Sequence, residues 1–219
     1  MKNKINLWDE KFKKKNYFLG WPDEMIVRFL AKNKGKRNQK VLDLGCGSGR
    51  HCELLIKHGY QVYGCDVSSL AIKITMERIR NLNLKGKFEV SNFNSLPYEN
   101  EFFDVIIAWH SIYYNSFETL LQTINEISRV LKKNGIFLFS MISTGDFRET
   151  YGKTSDGITY IGGKNSNDHF GLTYCVINNK NELKKLVKNR FKISSIGYHE
   201  MYFEKKQRNC HWIVTARKS

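Results

Sequence analysis

The run Val41-Leu42-Asp43-Leu44-Gly45-Cys46-Gly47-Ser48-Gly49-Arg50 constrains this chain more than any other. Four residues with a strand-like apolar character lead into three glycines at alternate positions, and a helix-competent segment, 50 to 58, follows at once. Strand, tight glycine turn and helix let backbone N–H groups approach a ligand with no Cβ in the way. A second strand-like run, 61 to 65, ends in Asp66. That carboxylate lies about 20 residues beyond the turn, where it can accept both hydroxyls of a ribose. The glycine spacing is G-x-G-x-G rather than G-x-G-x-x-G, and Asp43 stands two residues before the first glycine. A pyrophosphate in this turn would be repelled by Asp43, whereas an ammonium would be attracted to it, directly or through water.

The pattern continues in order. Ser91-Asn92-Phe93-Asn94-Ser95-Leu96-Pro97 follows a third strand, 87 to 91, and residues 101 to 109 carry a fourth strand that ends in Trp109. Residues 126 to 135 read as the end of a helix and a turn, and residues 136 to 139 as a fifth strand. In these segments the chain resembles the class I S-adenosylmethionine-dependent methyltransferases, over residues 41 to 140. The resemblance implies a Rossmann-like α/β fold. Its doubly wound sheet has seven strands, mostly parallel, with an antiparallel last strand set beside strand 5. It implies S-adenosylmethionine as cofactor, held by Asp43, Gly45, Cys46, Gly47, Asp66, Val67, Asn92, Phe93 and Trp109. Two positions depart from the family pattern. Asn92 replaces an acidic residue, though its amide oxygen still accepts and its amide nitrogen donates. Lys133-Asn134-Gly135 replaces Pro-Gly-Gly, and both Asn and Gly tolerate a left-handed turn.

Strand and helix alternate at 40–44, 50–58, 61–65, 68–81, 87–91, 103–108, 117–132 and 135–141, which predicts a parallel sheet covered on both faces. Ligands in such sheets sit beyond the strand C-termini, where the strand order reverses. The whole of 1–219 reads as one domain. Segment 1–38 is expected to be an N-terminal helical cap, with Tyr17, Phe18 and Trp21 covering the pocket and a helix following Pro22. Segment 143–178 breaks the rhythm with Gly, Ser, Asn and interleaved aromatics, which predicts a substrate lid containing a hairpin around 158–160 and 172–176. A helix capped by Asn179 or Asn181 and two closing strands, 191–198 and 211–217, complete the chain.

Methyl transfer from a sulfonium needs alignment of nucleophile, methyl and sulfur, and needs a base only when the acceptor must lose a proton. His110, directly after strand 4, is the first candidate to orient the acceptor or act as base, because histidine titrates near neutrality. His169, inside the expected lid, is the second. Tyr113 and Tyr114 can offer hydroxyls, His211 is expected to be structural, and His51 and His58 are expected to be solvated. No Asn/Asp-Pro-Pro-aromatic motif follows strand 4, which disfavours methylation of nucleic-acid bases. A small-molecule acceptor, with anionic ones included, is the favoured partner.

The net charge is +15, from 36 Lys and Arg against 21 Asp and Glu. It is scattered over several clusters rather than gathered in a tail, so it reads first as biased residue usage. An RNA or protein methyltransferase using that basic surface is the second reading, and a non-catalytic cofactor-binding partner the third. Five cysteines without C-x-x-C or His-rich spacing predict a reduced, cytoplasmic protein with no metal. No apolar run is long enough to span a bilayer, so no membrane partner is expected.

Overall fold

The computed structural model describes residues 4–14, 18–33, 38–150, 152–163, 170–202 and 208–219. Its central sheet is built from β1 (Lys40–Leu44), β2 (Gln61–Asp66), β3 (Lys87–Val90), β4 (Phe103–Ala108), β5 (Leu131–Ser143), β9 (Phe191–Tyr202) and β10 (Arg208–Lys218). These run in the order β3-β2-β1-β4-β5-β10-β9. The pairs β1–β2, β1–β4, β2–β3 and β4–β5 are parallel, while β10 is antiparallel to both β5 and β9. Seven strands with one reversed is the architecture the sequence predicts. The order reverses between β1 and β4, so the crevice beyond their C-termini is where a ligand fits.

The central strands are apolar on both pleat faces because both are covered. On β5, Phe137 and Phe139 pack toward one layer with α5 (Phe117–Val130) and α6 (Lys180–Val187), whereas Ile136 and Leu138 pack toward the other. That second layer holds α2 (Glu24–Lys32), α3 (Arg50–Lys57) and α4 (Ser69–Asn81). Four helix starts carry a polar cap, whereas α3 begins at Gly49 with none. Asp23 accepts from Met25 N–H, Ser68 from Ala71 N–H, Ser116 from Thr119 N–H, and Asn179 from Asn181 and Glu182 N–H. Such caps contribute about 1 kcal/mol each.

Beyond β5, a short 3-10 turn (Phe147–Thr150) leads into β6 (Gly152–Lys153), β7 (Thr159–Ile161) and β8 (Thr173–Ile177). The hairpin expected here exists: β7 pairs antiparallel with β8, and β8 lies parallel to Ile142 and Ser143 at the end of β5. Its aromatics face inward rather than toward a ligand. Tyr160, Leu172 and Tyr174 are buried in the core, and Trp212 Nε1 donates to Ile177 O at 2.8 Å. A segment dense in Gly, Ser and Asn has thus become a packed side sheet because its alternating aromatics found an apolar layer to join.

Candidate active site

The glycine turn is stitched to its neighbours by backbone. Gly45 N–H and Cys46 N–H donate to Cys65 O at 2.7 and 3.0 Å, and Thr75 Oγ1 donates to Gly47 O at 2.8 Å. Gly45 has φ +82°, and a Cβ there would lie 2.3 Å from Ser111 Cβ. Ser111 in turn donates from Oγ to Leu44 O at 2.6 Å, drawing the segment after β4 against the turn. Only glycine meets both demands, a left-handed backbone and no side chain.

Asp66 closes the other side. Its Oδ2 accepts from Gly47 N–H at 3.0 Å and its Oδ1 from Ser68 N–H at 3.0 Å. Burial pushes its carboxyl up to about 6, against the pull of those backbone donors. Each oxygen keeps a lone pair for a further donor. Asp43, expected among the cofactor ligands, sits behind the turn and is 1% exposed. It accepts the Cys52 thiol at 3.3 Å, and burial pushes it up to about 7. It stands outside the cavity wall, supporting the turn from behind.

The cavity above the strand ends has a volume of about 580 Å³, inside the roughly 300–1,000 Å³ range of small-molecule sites. Gly45, Cys46, Gly47, Asp66, Val67, Asn92, Phe93, Trp109 and His110, all expected from the sequence, line it together. Trp109 is 5% exposed, and its indole Nε1–H has no hydrogen-bond partner. An orphaned buried donor on a cavity wall fits a site that a polar ligand completes. His110 adopts φ +53°, its N–H donates to Ser140 Oγ at 2.9 Å, and burial pushes its ring down to about 4. His169 lies outside the described residues.

The cover comes from residues of the N-terminal segment other than Phe18 and Trp21. Helix α1 (Lys4–Phe12) places Trp8 and Phe12 on the cavity, with Trp8 edge-on to Tyr114 at 4.9 Å. Asp9 holds the helix in place, accepting from Ser68 Oγ at 2.5 Å, Ser69 Oγ at 3.2 Å and Leu70 N–H at 3.1 Å. Burial would raise the Asp9 carboxyl, but these bonds outweigh it and hold it below the ordinary range. Residues 19–23 form a strap gripped by backbone. Ser48 Oγ and Arg78 Nη1 donate to Leu19 O, Arg78 Nη2 to Gly20 O, and Arg50 Nη1 to Trp21 O.

Three expectations are corrected. Phe18 and Trp21 are 48% and 87% exposed and do not line the cavity, because the strap is held by its carbonyls and turns those rings outward. Tyr17 lies outside the described residues. His51 is buried, not solvated: its Nε2 accepts from Asp23 N–H at 3.3 Å, and desolvation holds it neutral. Among the described residues of 143–178, none lines the cavity. A periodic signal for α1 existed in Leu7, Trp8 and Phe12, but aromatic residues among lysines read equally as surface.

Comparison with known proteins agrees with this geometry. The model of a family described as a methyltransferase domain matches residues 35–213. The chain is similar to a sarcosine/dimethylglycine N-methyltransferase of Aphanothece halophytica, 36% identical over 46% of this chain and 37% of that protein. It is also similar to a ubiquinone biosynthesis O-methyltransferase of Pelagibacter ubique, 30% identical over 53% of this chain and 47% of that one. The chain spans about half, or less, of the length of the curated relatives it matches. Among solved structures, a SAM-dependent methyltransferase from Methanosarcina mazei superposes with a TM-score of 0.72 at 22% identity, covering 86% of this chain and 96% of that one. With the glycine turn, the Asp66 carboxylate beside it and a family match across most of its length, the chain belongs to the methyltransferase-domain family, whose cofactor is S-adenosylmethionine.

Proposed function

We propose that this chain transfers a methyl group from S-adenosylmethionine to oxygen or nitrogen of a small-molecule acceptor by in-line displacement. The cofactor supplies an electrophilic methyl on a sulfonium with a good leaving group. The chain's own residues bind, align and shield. Asp66 offers its remaining lone pairs to the ribose hydroxyls, Val67, Asn92 and Phe93 border the adenine end, and the glycine turn gives close backbone approach. Trp109 Nε1–H and His51 serve the amino-acid end. His110, Tyr114 and Trp8 face the space left for the acceptor, where His110 orients it.

The observation that carries the small-molecule reading is the roof. Trp8 and Phe12 cover the glycine turn, and Leu19 is drawn beside it by Ser48 and Arg78. A folded macromolecule would have to displace this helix and strap. The curated relatives named for sarcosine and for ubiquinone biosynthesis support an acceptor of that size, on nitrogen or on oxygen. A cytoplasmic setting is supported by the buried thiols of Cys46, Cys52, Cys65 and Cys210. Of the basic clusters behind the RNA or protein alternative, Lys15 and 205–207 lie outside the described residues, and Lys11 is buried.

The test uses the purified chain and methyl-labelled cofactor against a panel of small amines, phenols and carboxylic acids, with bulk tRNA and a basic peptide alongside. Label on a small acceptor is expected. Label on tRNA or peptide alone would overturn the small-molecule reading. Cofactor binding without any transfer would favour a non-catalytic partner.

A further inference from the structure

Behind His110 lies a buried polar chain that cofactor binding does not use. Arg148, from the 3-10 turn after β5, is 3% exposed. Asp146 clasps it with both oxygens, Nε to Oδ1 at 2.6 Å and Nη2 to Oδ2 at 2.7 Å. Asp146 is itself fixed by Cys210 N–H at 2.9 Å. Burial works against the charge on Arg148, and the Asp146 carboxylate outweighs it. From this anchor Arg148 reaches Tyr114 OH at 3.3 Å and His211 Nε2 at 3.0 Å. Tyr113 OH stands between two rings, 3.1 Å from His110 Nδ1 and 3.4 Å from His211 Nε2.

The donor inventory fixes the protons. A guanidinium only donates, so His211 Nε2 must accept and its ring proton sits on Nδ1. The single lone pair on His211 Nε2 is taken by Arg148, so the Tyr113 hydroxyl proton goes to its nearer partner, His110 Nδ1. Ser140 Oγ, which accepts His110 N–H at 2.9 Å, is farther from that same Nδ1, at 3.5 Å. The one lone pair on His110 Nδ1 is thus taken by the Tyr113 hydroxyl, which leaves the ring proton on Nε2 of a residue that lines the cavity.

We infer that Arg148, acting through His211 and Tyr113, is a positioning residue that fixes His110 as the neutral Nε2–H tautomer, so that His110 donates to an acceptor oxygen instead of serving as a base. This rests on the methyltransferase reading only for the identity of the acceptor. Among the groups around His110, Arg148, Arg50 and His199 oppose a charge on the ring, Asp23 favours it, and burial dominates. The substrate class follows. With no base at this position, the nucleophile is one that attacks without first losing a proton, an amine, on a molecule whose carbonyl or carboxylate oxygen meets His110. The nitrogen–methyl bond forms as the sulfur–methyl bond breaks. The bonding pair leaves with the sulfur, which becomes a neutral thioether, and the ammonium product sheds its proton to water.

The experiment is 15N imidazole NMR of the whole, cofactor-free chain, with His110 assigned by its loss in His110→Gln. The expected result is a proton-bearing Nε2 and a bare Nδ1, unchanged from neutrality to about pH 5. A proton on Nδ1, or a ring that charges near neutrality, would overturn the inference. Arg148→Met should convert the single tautomer into a mixture, and Arg148→Lys should restore it in part. A folded Arg148→Met chain with an unchanged signal would end the role given to Arg148. If that variant fails to fold, Tyr113→Phe gives the same readout, and an unchanged signal there would equally overturn the relay. These signals need neither cofactor nor acceptor, so they stand apart from whether methyl transfer is detected. Where transfer is detected, His110→Gln, which keeps a donor at the Nε2 position, should stay within ~10-fold of the parent, and His110→Ala should lose about 100-fold. Equal losses would point back to a base.

Discussion

The two ends of the cavity are built on different principles. At the cofactor end, contacts are mostly backbone, drawn from a short stretch of chain: the turn, the end of β2 and the start of α4. At the end proposed for the acceptor, contacts are side chain to side chain, and they gather His110 and Tyr113, Arg148, and His211 from three separate places. The first end is defined by where atoms are absent, as at Gly45. The second is defined by where protons sit. A cofactor shared by many enzymes can be held by a standard turn, whereas an acceptor particular to one needs groups assembled for it.

Gly45→Ala should produce the largest break. The new Cβ meets Ser111 at 2.3 Å in a left-handed backbone, so a stability loss of about 2–3 kcal/mol and loss of cofactor binding are expected in thermal melts and calorimetry. An unaltered affinity would mean that the turn is not where the cofactor lies.

Asp66→Ala should come next. It removes the carboxylate proposed to accept from the ribose and strands the N–H groups of Gly47 and Ser68, for an expected affinity loss of about 100-fold, or ~2.7 kcal/mol. The pH dependence sharpens this. Asp66 is pushed up to about 6 and Asp43 to about 7. In the folded chain both hold protons that the unfolded chain has shed, so these two groups make the cofactor-free protein less stable as pH rises from about 4 to 7. Cofactor affinity should move the other way, falling as pH drops through the Asp66 value. Equal affinities in titrations at pH 5 and 8 would show that the carboxylate has no part in binding.

Asp9→Ala should cost less, about 1 kcal/mol, because α1 keeps its apolar contacts through Trp8 and Phe12. The expected signs are faster proteolysis ahead of residue 19 and a several-fold weaker cofactor. Because the Asp9 carboxyl is held low, this latch is intact above its ordinary value and is lost as pH falls through the depressed one. Equal proteolysis of variant and parent would show that the helix is held by packing alone.

Trp109→Phe should have the smallest effect. It removes a buried donor that has no partner, so stability should hold or rise slightly while cofactor affinity falls a few-fold. An unchanged affinity would free Trp109 from the cofactor end.

This contrast also explains what the sequence disclosed. The strands and helices of residues 40–143 were legible because their apolar runs, caps and glycines are local signals. Asp66 was legible for the same reason, its partner being close in the chain. The roof was not: Trp8 and Phe12 sit among lysines, and whether such rings cover a pocket or pack elsewhere depends on where α4 begins. Arg148 was not singled out at all, since an arginine beside Asp146 and Phe147 in a glycine-bearing turn looks like ordinary surface. Only the arrival of β10, carrying Cys210 and His211, buries it.

That last dependence bears on the order in which the chain folds. The Gly47–Asp66 contact closes a separation of 19 residues, and the Arg148–His211 contact one of 63. The longer closure costs only about 1 kcal/mol more in chain entropy, but it also waits for β10 to slot between β5 and β9. The glycine turn and Asp66 meet through a local closure, whereas the groups behind His110 come together only when β10 is in place. Insertion of β10 is the event that gives His110 its fixed proton.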